Sequence, residues 1–271
     1  MASPEIGSEY AILWEEGPDF RGIDIALLYR TDLVELLDYE QIQGCTSLLD
    51  GLGPDGNRDV IDPQNAITCD TDSDGHPDGN RLFSRPPLVA QMKVCPSGCS
   101  LDMEDEGDAF VLNVMVNHWK SKLQDGVITQ YTLPRRLEQA QFVADKVLQI
   151  REEEPGSSII LLGDLNDFPV SEPLTLLNEA GLLDLTDCIP ESGRYTFIYQ
   201  GVSQVLDYAL YLPTPWLKPT SHTSLHFNAD YPSVYSGVEE NYYRSSDHDP
   251  LVTTITRPDQ FSFLPLLSSG D

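Results

Sequence analysis

The sequence predicts an α/β protein in which two packed β-sheets are flanked by helices, folded as one domain without an internal repeat. Three features of the 271 residues lead there. Short apolar runs rich in Ile, Val, Leu and Tyr recur between turn residues, one long segment has helical periodicity, and the strand-like runs outnumber the helical ones. With 40% hydrophobic residues the chain can bury a sizeable core.

In chain order the predicted strands are Ile23–Tyr29, Leu88–Val94, Ala109–Val116, Ser158–Leu162, Tyr195–Tyr199, Val205–Leu212 and Leu251–Ile255. Each is a short run bounded by turn-forming residues, the pattern of strands buried in a sheet. Between the runs at 109 and 158, the segment from Pro134 to Glu153 places Leu137, Ala140, Ala144, Val147 and Leu148 at helical spacing. Pro134 suits a first helical turn, where its missing N–H costs nothing. A second helix is expected over Glu172–Glu179, ended by Gly181. Residues 45–82 stand apart, rich in Asp, Gly, Asn and Pro, and read as an insertion or ordered loop held by something other than a core. The domain is expected to span 1–260, with 261–271 as a tail.

The formal charge is −28, from 44 acidic and 16 basic residues, which opposes non-specific attraction to a phosphate backbone. An acidic, soluble surface accounts for it. Bound cations that locally reverse the field would also use such acid, and the two readings are compatible. No stretch approaches the roughly 18 apolar residues a spanning helix needs, and the first residues lack the basic and apolar regions of a signal peptide. The cysteines at 45, 69, 95, 99 and 188 suit disulfides in an oxidising compartment better than zinc, because a second close ligand pair and nearby histidines at metal spacing are missing. Free buried thiols are the other reading, and Cys188 is the odd one out.

Chemistry is concentrated in short motifs at the ends of predicted strands. Asn117-His118-Trp119-Lys120-Ser121 follows one apolar run, and Gly163-Asp164-Leu165-Asn166-Asp167 follows another. An extended backbone would turn Asp164 and Asn166 to the same side. Leu206-Asp207-Tyr208 lies inside an otherwise apolar strand, and Ser245-Ser246-Asp247-His248-Asp249-Pro250 precedes the last one. Taken singly, three of these are ordinary caps and turns. Asp207 is harder to dismiss, since a buried carboxylate needs a partner, and a histidine is the obvious one.

Together and in this order the motifs resemble the endonuclease/exonuclease/phosphatase superfamily, which includes deoxyribonuclease I. The likeness runs from Arg21-Gly22-Ile23-Asp24 through Pro250. Arg21 to Arg30, Arg85-Pro86-Pro87-Leu88 and Asn-His-Trp-Lys-Ser look most like the bacterial extracellular nucleases. The resemblance implies a four-layer, deoxyribonuclease I-like sandwich and hydrolysis of phosphodiesters with Mg²⁺ or Mn²⁺. It implies that Asp247 is a metal ligand, that Asp164 and Asn166 position water and phosphate, that His248 is general base or phosphate contact oriented by Asp207, and that His118 stabilises the phosphate or leaving group. All six side chains should then meet in one cleft. A phosphodiester needs this help because its charged oxygens repel a nucleophile.

One departure accompanies the match. Family members open with an Asn-bearing strand and then a strand ending in Gln-Glu, whose Glu ligates Mg²⁺, whereas only 20 residues precede Arg21. Glu5, Glu9, Glu15 and Glu16 are poor replacements, so the chain is read as N-terminally truncated, lacking the first strands, and a weak nuclease by itself. A second metal signal is Asp70-Thr71-Asp72-Ser73-Asp74-Gly75-His76-Pro77-Asp78, whose alternating carboxylates resemble the start of a calcium loop. Arg81 stands where an EF-hand would have its bidentate Glu, so structural Ca²⁺ held by Asp70, Asp72, Asp74 and Asp78 competes with a solvated acidic loop. The expected function is a secreted, monomeric nuclease acting on DNA. The alternatives are a phospholipid or inositol-phosphate phosphodiesterase, and a catalytically defunct calcium-binding extracellular module.

Overall fold

The computed structural model describes residues 9–256, apart from 20, 49–68, 71, 77, 78, 97, 100–108, 124, 127, 216 and 238–242. In order they form strands β1 (Tyr10–Trp14), β2 (Ala26–Arg30), β3 (Val34–Gln41), β4 (Cys45–Thr46), β5 (Asn80–Arg81), β6 (Leu88–Val94) and β7 (Phe110–His118), then helix α1 (Leu133–Glu153), β8 (Ser158–Asp164) and helix α2 (Glu172–Glu179). The chain continues through β9 (Leu183–Asp184), β10 (Phe197–Tyr199), β11 (Val202–Gln204), β12 (Asp207–Tyr211), β13 (Lys218–Ser224) and β14 (Leu251–Thr256).

Six strands make the central sheet in the order β3-β6-β7-β8-β12-β9, antiparallel throughout except for the parallel pair β7–β8. A parallel pair needs a long crossover, and α1 supplies it. Ala140, Val143, Ala144, Val147 and Ile150 form the buried stripe of α1, while the predicted Leu148 lies on its exposed flank. α2 ends as expected, with Gly181 taking a positive φ of 101° just beyond it. Both helices pack on one face of the sheet against Val89, Met115, Ile159, Leu161 and Leu210. The opposite face presents Leu88, Ala90, Met92 and Val114 to Leu13 and Ile25 of the β1–β2 segment. With both faces covered, the inner strands β6, β7 and β8 are mostly apolar rather than alternating.

Beside the central sheet, the described residues form antiparallel ribbons β1–β2 and β13–β14, the latter lying against β12, in keeping with the expected α/β architecture. The predicted strand at Ile23–Tyr29 is shifted to Ala26–Arg30, and β3 and β13 were not predicted. β3 is an acidic edge strand and β13 is largely polar, so neither has an apolar run to betray it. The insertion is held by a Cys45–Cys69 disulfide (Cα–Cα 5.6 Å) and by β4–β5 pairing. Cys95 and Cys99 form a second disulfide, and Cys188 is free and exposed.

Candidate active site

The sheet register builds the centre of the site. His118 ends β7, Asp164 ends β8 and Asp207 begins β12, and the pairings His118↔Asp164 and Asp164↔Asp207 set the three side by side on one rung. Directly paired residues project to the same face. Asp207 is therefore at the mouth of its strand rather than within it.

Gly163 makes this rung attainable. Its φ is +126°, and a Cβ there would sit 2.0 Å from the carbonyl oxygen of Asn117 on the neighbouring strand. The close approach of β7 and β8 just before the rung excludes any side chain.

After Asp164 the backbone turns instead of staying extended. Asn166 adopts φ 52°, its N–H donates to Asp164 Oδ1 at 2.8 Å, and its amide Nδ2 donates to Asp164 Oδ2 at 2.9 Å and to the Trp119 carbonyl at 3.2 Å. This Asx-type turn, rather than strand periodicity, brings the two side chains together.

His248 arrives from the loop before β14. It forms a bridge with Phe197, and its Nδ1 lies 2.6 Å from Asp207 Oδ2. Burial disfavours a charged imidazole, but the hydrogen bond and charge of Asp207, with the charges of Asp164 and Asp247, outweigh it and raise the pKa to about 9. Burial and the adjacent Asp207 push Asp164 up to about 7. His118 moves the other way: burial and the Arg85 guanidinium lower it to about 3. Arg85 donates to His118 Nε2 at 2.7 Å, so the neutral ring carries its proton on Nδ1. The two histidines are thus shifted in opposite directions by their neighbours.

All six predicted residues, His118, Asp164, Asn166, Asp207, Asp247 and His248, line one cleft. Ligand atoms of Asp164, Asp207 and His248 lie within 4.8 Å of one another, and the two carboxylates are oxygen donors of the kind a divalent cation takes. Asp247 borders the cleft but is exposed and outside that group. Glu9, Glu15 and Glu16 are not among the cleft residues, and Glu5 lies outside the described residues. In the insertion, Asp70, Asp72 and Asp74 also bring oxygens within 4.8 Å, in a loop closed by the Cys69↔Gly79 bridge, while Asp78 lies outside the described residues.

Sequence reasoning missed the residues that hold the cleft in shape. Buried Arg136 bonds Asp167 (2.8 Å), Asp125 (2.9 Å) and Thr132, and Lys122 also reaches Asp167 (3.1 Å). Asp249 accepts from the N–H groups of Asn228 and Ala229 and pairs with His226 Nδ1 at 2.9 Å, fixing the residue next to His248. Thr196, fully buried, accepts from Asp207 N–H and receives Asp249 N–H on its carbonyl. Arg85 carried a signal, since it stands in a motif already noted, but nothing in sequence marks it as a partner of His118.

A family model described as the Endonuclease/Exonuclease/phosphatase family matches residues 14–248. Among solved structures, a mannosyl-6-phosphatase of Bacteroides thetaiotaomicron superposes with a TM-score of 0.52 at 16% identity, covering 92% of this chain and 78% of that one. A humanized TDP2 of D. rerio gives 0.53 at 17% identity, covering 93% and 78%, and the catalytic domain of human Nocturnin gives 0.50 at 13% identity, covering 91% and 73%. At such identities the likeness is one of fold. No curated protein matches the sequence.

Proposed function

Given that the chain belongs to the endonuclease/exonuclease/phosphatase family, whose members hydrolyse phosphodiesters and phosphate esters, we propose that it is a divalent-metal-dependent phosphodiesterase acting on nucleic acid, DNA above all. The observation that carries this reading is the row His118–Asp164–Asp207 closed by His248 in one cleft. Mg²⁺ or Mn²⁺ at Asp164 and Asp207, with Asp247 at the rim, would supply charge to the phosphoryl oxygens. Asp164, turned by Asn166, orients the attacking water. His248, held by Asp207, contacts the phosphate while protonated and is the alternative base when neutral. His118, whose Nε2 lies 2.7 Å from Arg85 and 3.5 Å from Asp164 Oδ2, stabilises the phosphate or leaving group.

Asp207 is shared with His248, so its carboxylate would divide its charge between the imidazole and the metal. Plasmid DNA, sphingomyelin and inositol phosphates incubated with the chain and Mg²⁺ or Mn²⁺ test the reading. EDTA-sensitive cleavage of DNA is the expected result. Turnover of inositol phosphates or sphingomyelin without DNA cleavage would establish the second reading, a phospholipid or phosphosugar hydrolase, which the lack of a basic stripe in so acidic a sequence leaves alive.

Two disulfides in a chain of this kind support an extracellular location. We also assign structural Ca²⁺ to the 70–78 loop, where Asp70 accepts from the N–H of Gly75 at 2.7 Å and Asp74 from that of His76 at 2.8 Å. Ca²⁺ should raise the melting temperature of the wild type and leave an Asp72→Ala, Asp74→Ala double variant unmoved, because a ligand of the folded state alone stabilises it by linkage. Calorimetry showing no Ca²⁺ uptake by the wild type would reduce the loop to a solvated turn.

A further inference from the structure

Aromatic rings continue outward from His248. The Phe197 ring stacks on its imidazole with centroids 4.6 Å apart at 28°, and Tyr199 follows Phe197 at 6.3 Å and 16°. Residues two apart on a strand share a face, and both rings line the cleft. They sit on the β10–β11 hairpin, whose tip, Gln200-Gly201, has positive φ at both residues (50° and 82°), the conformation of a tight two-residue turn. The base of that hairpin is anchored to the site by the Phe197↔His248 bridge. A third ring, Phe168, lines the same cleft with the Lys122 ammonium 4.6 Å from its centroid.

We propose that this hairpin is a stacking subsite that receives an unpaired nucleobase beside the scissile phosphate, an inference that rests on the hydrolase reading above. Scattered exposed aromatics are normal on a protein surface. Here Tyr199, 48% exposed, and Phe168, 39% exposed, lie in the cleft that holds the charged residues, on a hairpin or loop fixed at its base. The charge of −28 denies the protein much affinity through phosphates. Stacking on a ring face is the other general source of affinity for a nucleic acid strand, and it tolerates any base. Bases within a duplex have their faces covered, so the subsite selects single-stranded or frayed segments.

Equilibrium binding of a fluorescein-labelled single-stranded oligonucleotide to the full chain, with metal chelated, tests this against the same backbone bearing tetrahydrofuran abasic residues. The wild type should bind the base-bearing strand about tenfold more tightly. Tyr199→Ala should abolish most of that ratio and Tyr199→Phe should keep it, with melting followed by circular dichroism to confirm folding. The wild-type comparison needs no variant, so a misfolded Tyr199→Ala would not shelter the proposal. Equal binding of the two strands, binding of neither, or an equal loss for both in Tyr199→Ala would overturn it. Metal-dependent hydrolysis of bis(p-nitrophenyl) phosphate by the wild type, measured in parallel, reports on the hydrolase reading separately.

Discussion

Replacing His248 by alanine is expected to slow metal-dependent phosphodiester hydrolysis by about a hundredfold or more while leaving the fold intact, because an electrostatic contact made in the transition state is worth that much. The side chain reaches the cleft from a loop, and its firm tie is the 2.6 Å bond to Asp207. Asp207→Asn keeps a hydrogen-bonding group in place but removes the charge that sustains the imidazolium and a carboxylate proposed to hold the metal, and should also slow hydrolysis. Stability supplies a readout independent of turnover. The folded pKa of His248 is raised to about 9 from 6.5, so the pair's contribution is complete below about pH 6.5 and is lost as pH rises through about 9. The gap in metal-free stability between wild type and His248→Ala should therefore narrow from pH 6 to pH 10. A variant that retains full hydrolysis, with the same pH profile of stability as the wild type, would remove His248 from the chemistry.

The second large effect belongs to a residue with no side chain. Gly163→Ala places a methyl group 2.0 Å from the Asn117 carbonyl oxygen, with that residue's carbonyl carbon and amide nitrogen at 2.9 and 3.0 Å, on a backbone with φ of +126°. These atoms belong to a strand, so relief requires β7 and β8 to part at the pairing next to His118↔Asp164. Strain of this kind and overpacking each cost on the order of 1–3 kcal/mol, and here they act together. Urea denaturation should show a loss of about 3 kcal/mol or more, accompanied by reduced hydrolysis. A variant within about 0.5 kcal/mol of the wild type, which is the range of an ordinary surface change, would mean that the strands are not held this closely in solution.

What was legible in the sequence was whatever leaves a local mark. The buried strands β6, β7 and β8 are predominantly apolar runs, and Glu172–Glu179 followed by Gly181 spells a helix with its stop. The six cleft residues were legible because each sits in a short motif whose order is shared with a known family. Charged or polar strands left no such mark, so β3 and β13 went unseen. The turn at Asn166 was also beyond sequence reasoning, since the i, i+2 spacing suits both an extended strand and the Asx turn that forms. Long-range partners were the least visible: Arg85 and His118 are 33 residues apart, and Arg136 and Asp167 are 31 apart.

Arg136 ties together parts of the molecule that are far apart in sequence. Its guanidinium rises from α1 and grips Asp125 in the segment after β7 and Asp167 in the segment after β8, three positions beyond Asp164. Mechanically, those two segments and the long helix are one rigid part. Neither segment can swing as a gate without breaking buried ion pairs, a loss of several kcal/mol. Adjustment of the cleft to substrates of different girth must therefore come from the other bank, where the β10–β11 hairpin and the loop bearing Asp247 are free of this guanidinium clamp. On that bank the cleft can change shape without disturbing the row His118–Asp164–Asp207 beneath.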